Sequence, residues 1–85
     1  MSAASQRHMQ RVAQLPCVVR GTSPTQVHHI RMANLTGAGQ KCSDWLTIPL
    51  DPAEHDLLHK DIKAWERRNG RQIDHVTRTL EKLYG

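Results

Sequence analysis

The chain contains no phenylalanine, and its aromatic side chains are two tryptophans and one tyrosine. Its 85 residues read as one small domain. A chain of this size buries only about 60–65% of its unfolded surface, so the core is thin. In such a core Trp45 and Trp65 are expected to act as anchors. No apolar run approaches the roughly 18 residues of a membrane-spanning helix. Residues 1–15, MSAASQRHMQRVAQL, hold no apolar segment of the length a secretory signal requires. Cysteine is scarce, with Cys17 and Cys42 alone. These absences together give the expectation of a cytoplasmic protein with reduced thiols and no membrane partner. Acidic residues are outnumbered: Asp plus Glu total 8 against 12 Lys plus Arg, a net charge of +4 with six histidines uncounted. That balance favours phosphate-bearing partners, chiefly through encounter rate and non-specific attraction.

The patterning predicts an α+β fold. Residues 1–15 read as an amphipathic helix capped by Ser2 or Ser5, with Met9, Val12 and Ala13 on one face and Pro16 ending it. CVVRG (17–21) reads as a short strand, TSPTQ as a turn, and VHHI (27–30) as the returning strand of a β-hairpin. RMANLTGAGQKCSDW (31–45) reads as a long basic loop, and loops of that length are usually functional or disordered. LTIPL (46–50) is a further extended segment. Asp51-Pro52 opens a helix that runs through PAEHDLLHKDIKAWERRNG and stops at Asn69-Gly70. Leu58, Ile62 and Trp65 form its core stripe, widened by Leu57 and Ala64. A last helix, QIDHVTRTLEKLYG, carries Ile73, Val76, Leu80 and Leu83 on one face. The domain then divides into an N-terminal helix (1–15), a hairpin-and-helix core (16–59), and a helical continuation with a C-terminal helix (60–85).

His28 and His29 are neighbours in a predicted strand, where alternation sends side chains to opposite faces. His55 and His59 stand four apart on the predicted helix, so both project from one face, a common spacing for chelating a metal. A helix packed across the hairpin brings a strand histidine to this pair. Three imidazoles then leave open coordination positions, as a catalytic site requires. The second strand histidine, outside the metal shell, suits a general base near neutral pH. Taken singly, each pair also reads as ordinary solvated or hydrogen-bonded histidines; four of six in one unit carry the chemical reading. His8 and His75 lie outside that unit and are expected to face solvent. Arg31, one strand step beyond His29, is placed to hold a phosphate or to lie solvated at the loop start, with Lys41 as a second phosphate candidate in the loop.

In the order LPCVVRG, QVHHIR, SDWLTIPLDPAEHDLLH and a following tryptophan, the chain resembles the HNH, or ββα-metal, nucleases. Within them it is most similar to small phage and prophage proteins related to the RecA-dependent recombination-enhancement nuclease. The resemblance covers about residues 8–70. It implies that His28 is the strand metal ligand, His29 the base that activates water, and His55 and His59 the helix ligands. It also implies one divalent metal (Mg, Mn, Ni or Zn), a DNA substrate, and a phage or prophage protein in a bacterial cytoplasm. The central asparagine of the usual motif has no clear counterpart.

Relatives of that kind carry two Cys-x2-Cys knuckles around a structural zinc. Here only Cys17 remains, and the other three positions hold Arg20, Asp51 and Glu54. Arginine stays protonated and cannot ligate a metal, so the structural zinc is expected to be absent. The replacements suggest an ion pair from Arg20 to Asp51 or Glu54 that ties the hairpin to the helix start; otherwise they are surface charges, with Asp51 only a cap. Cys42 matches no ligand position. The function expected is metal-dependent hydrolysis of DNA phosphodiesters, with a recombinase as a candidate partner. The alternatives are a degraded nuclease scaffold reused for binding, either as a DNA-binding accessory or as a phage inhibitor of a host defence complex (an anti-CRISPR protein), and a plain structural domain.

Overall fold

A computed structural model describes residues 2–31 and 43–85. It is a small α+β domain with one two-stranded antiparallel sheet and four helices among the described residues. The order is α1 (Ala3–Ala13), β1 (Gln26–His29), β2 (Thr47–Leu50), α2 (Pro52–Lys60), α3 (Ile62–Asn69) and α4 (Gln72–Tyr84). In α1 the Ser2 hydroxyl accepts from the Ser5 amide at 3.0 Å, which makes Ser2 the cap. Asp51 does the same for α2, accepting from the Glu54 amide at 2.7 Å, with Pro52 in the first helical turn.

The strands pair differently from the sequence expectation. β1 pairs with β2 in the register Gln26 with Leu50, Val27 with Pro49, His28 with Ile48 and His29 with Thr47. The hairpin is therefore QVHH with TIPL. CVVRG is a turn: the Cys17 amide donates to the Thr22 carbonyl and the Gly21 amide to the Cys17 carbonyl, both at 2.9 Å. Gly21 takes φ +68, a left-handed conformation that glycine adopts without steric cost. This turn docks beside β2 through a bond from the Val18 amide to the Pro49 carbonyl at 3.1 Å. All four residues of β2 are buried, which accounts for its nearly continuous apolar sequence.

The helix expected from Pro52 onward is two helices. Asp61 breaks the run with φ −156, ψ 95. Its carboxylate accepts from the Ala64 amide at 3.0 Å and starts α3. A short acid that caps well is a poor helix-interior residue, and here the cap prevails. The core stripe survives the break: Leu58 and Trp65 are fully buried beside Cys17, Ile30, Ile48, Leu50 and Val76, with Ile62, Ile73 and Leu80 packed against them. Leu57 does not widen the stripe; it is exposed. Gly70 ends α3 as expected, at φ +93.

Three further expectations change. His8 and His75 are buried, not solvent-facing. His75 Nε2 donates to the Asn69 carbonyl at 2.7 Å, which satisfies an imidazole inside the fold. Of the two tryptophans only Trp65 is a core anchor; Trp45 is 41% exposed. Lys41 and Cys42 lie outside the described residues.

Arg20, Asp51 and Glu54 meet at the joint of turn, strand and helix. Arg20 Nε donates to Glu54 Oε2 at 2.7 Å and stands 3.7 Å from Asp51 Oδ2. The other Glu54 oxygen accepts from the indole Nε1 of Trp65 at 3.0 Å. The Thr22 hydroxyl donates to Asp51 Oδ2 at 3.0 Å. Glu54 is thus a buried carboxylate with two donors, one on each side, and both are needed to offset its desolvation. Replacing Glu54 with Ala removes the carboxylate and leaves a buried indole N–H without its acceptor. The expected loss is about 1–3 kcal/mol in urea unfolding, and Glu54→Gln, which retains an oxygen for Trp65, is expected to lose less.

Candidate metal centre

β1 alternates, and the alternation separates the two histidines. His28 is buried and faces the helix side, where α2 presents His55 and His59 one turn apart. The His28 ring lies 5.0 Å from His55 and 5.4 Å from His59, and the helical pair are 4.7 Å apart, centroid to centroid. One nitrogen from each ring falls within 4.8 Å of the other two. A tetrahedral metal with bonds near 2.0–2.1 Å sets nitrogens about 3.4 Å apart, so small side-chain rotations close the shell.

Hydrogen bonds fix which nitrogen His28 and His55 can offer. Gln72, the first residue of α4, donates its amide NH2 to the Arg31 carbonyl at 3.2 Å. Its amide oxygen therefore faces the other way, accepting from the Arg31 amide at 3.2 Å. The same oxygen accepts from His28 Nε2 at 2.9 Å. His28 consequently carries its proton on Nε2 and keeps a lone pair on Nδ1. His55 donates from Nδ1 to the Gln26 amide oxygen at 2.7 Å and keeps Nε2 free for a metal. Partners that orient the distal nitrogen of a ligating imidazole are a regular part of metal sites. Burial holds the His28 imidazole well below its usual range, at about 4, with the neighbouring His55 and His59 acting in the same direction against the Gln72 bond. Burial lowers His55 as well, followed by the effect of His59. Neutral imidazoles near pH 7 are the form a metal requires. The donor set fits a divalent ion, and three imidazoles suit Zn²⁺ or Ni²⁺ better than Mg²⁺.

His29 points away from this trio yet borders the same cleft, which has a volume of about 190 Å³ and is lined by Val27, His28, His29, Arg31, His55 and His59. Its Nε2 donates to Asp44 Oδ1 at 2.8 Å. Asp44 also accepts from the Ser5 hydroxyl of α1 at 3.1 Å. The His29 bond holds the Asp44 carboxyl below the usual carboxylate range, reinforced by Ser5. Asp44 therefore remains an acceptor and leaves His29 Nδ1 as the basic nitrogen.

Of the residues singled out from sequence, His28, His29, Arg31, His55 and His59 share this cleft, while Cys17, Arg20, Asp51 and Glu54 belong to the structural joint. Sequence reasoning missed Gln72, Asp44 and Gln26. The signal for Gln72 was its place on the buried stripe of the last helix, four before Val76. Asp44 becomes legible only once LTIPL is known to pair with QVHH, because the register then carries SDW back past His29.

This is a small α+β domain with a three-histidine cluster able to hold a metal. The chain belongs to the family described as "Protein of unknown function (DUF968)", which matches residues 1–85. It is also similar to "Uncharacterized protein YdfU" of Escherichia coli (strain K12), 30% identical over 67 residues. That match covers 79% of this chain and 19% of the relative, so the chain spans about a fifth of that protein's length. No solved structure shows a significant match.

Two outcomes test the centre. Calorimetric titration with Zn²⁺ or Ni²⁺ is expected to show one site that is lost in His59→Ala and weakened roughly 10–100-fold in Gln72→Ala, which removes only the orienting partner. For the metal-free protein, His28 binds its proton less readily folded, at about 4, than unfolded, near 6.5. Its contribution to stability is therefore complete above about pH 6.5 and falls as pH drops toward 4, by about 3 kcal/mol in total. His8 and His55 are displaced the same way, so His28→Gln should flatten, not abolish, the slope of urea midpoint against pH.

Proposed function

We propose that this domain is a metal-dependent endonuclease of the HNH type, hydrolysing DNA phosphodiesters with His29 as general base. The observation that carries the reading is the single cleft in which three convergent imidazoles lie beside a fourth that is outside the cluster and paired with a carboxylate. Hairpin followed by helix, with one strand histidine and an H-x3-H helix pair, also agrees with the sequence resemblance to ββα-metal nucleases.

His28, His55 and His59 would hold a divalent metal, which would supply Lewis-acid charge neutralisation to the reacting phosphodiester. The protein's own groups do the rest. Asp44 accepts the Nε2 proton of His29, orienting the ring and stabilising the cation that forms when Nδ1 takes a proton from water. Arg31, on the rim of the same cleft, offers a guanidinium to a non-bridging phosphate oxygen. Gln72 holds both His28 and the backbone of Arg31, so ligand and phosphate contact are positioned by one side chain. On the sequence resemblance, the proposal extends to a phage or prophage protein acting in the host cytoplasm, with a recombinase as a candidate partner.

Plasmid nicking in Mn²⁺, Mg²⁺, Ni²⁺ or Zn²⁺ tests the assignment. Wild type is expected to nick. His29→Ala is expected to lose about 10²–10⁴-fold, the usual contribution of a positioned acid or base, and Asp44→Asn to fall between the two. Equal nicking by wild type and His29→Ala would remove His29 as the base. No nicking by either, in every metal, would favour the reading as a binding protein on a nuclease scaffold.

A further inference from the structure

Away from the histidine cleft, α1 and α4 frame a second surface pocket of about 220 Å³, lined by Ala4, Arg7, His8, Arg11, Trp45 and Tyr84. Two of the chain's three aromatic side chains lie here, with Trp45 41% and Tyr84 50% exposed. In a chain without phenylalanine and with a thin core, leaving two large rings at the surface costs burial that the fold could use. Both rings are held in place. The His8 ring lies 4.6 Å from Trp45 and 5.6 Å from Tyr84, centroid to centroid, and its Nδ1 is 2.6 Å from the Tyr84 hydroxyl. The Arg11 guanidinium lies 5.7 Å from the centre of the Tyr84 ring. Behind them His8 Nε2 is buried without a hydrogen-bond partner among the described residues, an unusual state for a polar atom in a folded interior. Burial, then Arg11, disfavours the charged imidazole.

We infer that this pocket is a stacking platform for an unpaired base of a single-stranded nucleic acid, with Arg7 and Arg11 on the flanking phosphates. Stacking on fixed aromatic faces needs a base free of its own stack, and a duplex offers none along its length. The two arginines supply the backbone charge, and the buried His8 ring backs both aromatic rings. Alternatives fit less well, because an apolar partner leaves two guanidinium groups unanswered. The platform connects to the histidine cleft through Asp44, next to Trp45 and bonded to both His29 and Ser5 of α1. The inference does not require hydrolysis, and it reaches beyond a nuclease site that needs only a phosphodiester.

The test is binding of an end-labelled oligothymidylate to the full chain in EDTA, read by anisotropy and by tryptophan fluorescence. Trp65 is fully buried, so quenching reports Trp45. Saturable binding with quenching is expected. Trp45→Ala and Tyr84→Leu should each weaken it roughly 5- to 150-fold, the equivalent of one lost stack, and Trp45→Phe should recover part. Arg11→Ala should lower the slope of log affinity against log salt by about one. A ribo-oligomer that binds as well, or better, supports the platform and shows which strand it serves. The inference fails if an abasic strand binds as tightly as oligothymidylate, if duplex binds better, or if the Trp45 and Tyr84 variants, folded by circular dichroism, bind like wild type. Because metal is withheld, these outcomes are independent of whether the protein nicks plasmid.

Discussion

The side-chain amide of Gln72 is the constraint on which the site depends. One oxygen accepts from His28 and from the Arg31 backbone, and the amide nitrogen donates to the Arg31 carbonyl. The Gln72 backbone amide in turn donates to Glu66 at 2.9 Å. The start of α4, the end of β1 and helix α3 are thereby fastened at one point. The Gln72 side chain is buried, and in a medium of low polarity each of these bonds is stronger and each alternative more costly. The tautomer of His28 is thus set by tertiary structure, not by its neighbours in sequence.

Around that point the domain separates its chemistry by strand alternation. His28 turns inward to the helical pair, while His29 turns to Asp44 and stays half-buried at the cleft. This one-residue step separates an imidazole that burial keeps neutral near pH 7 from one hydrogen-bonded to a carboxylate. The sheet does this with only four residues per strand, because β2 is covered throughout and fixes β1 against it.

Much of this was legible in the sequence. The i,i+4 spacing placed His55 and His59 correctly, Asp51-Pro52 marked the true start of α2, and the CVVR/PLDPAE substitutions pointed to the Arg20 pairing that the structure contains. Local signals failed where tertiary contacts decided. CVVR has strand composition, yet Gly21 and two backbone bonds close it into a turn, and its place in the sheet goes to TIPL, which starts at Thr47, the register partner of His29. Apolar periodicity ran straight through Asp61, because periodicity does not register a cap inside a stripe. His8 and His75 lie outside the four-histidine unit, which suggests solvent, but burial of an imidazole depends on whether another segment supplies an acceptor, as Asn69 does for His75. Trp45 was assigned by size alone, and size does not say which ring the core will take.

The joint at Arg20 carries one more consequence. Arginine cannot ligate a metal, so the turn at residues 17–22 is fastened to α2 by an ion pair and hydrogen bonds, with the single thiol Cys17 packed into the core as a small apolar group. Closure by charge is insensitive to thiol oxidation and to the supply of zinc. The joint therefore answers to ionic strength and pH, and it uses none of the three clustered imidazoles. A domain wired this way keeps its turn fastened to α2 through contacts that the three-histidine cluster does not share.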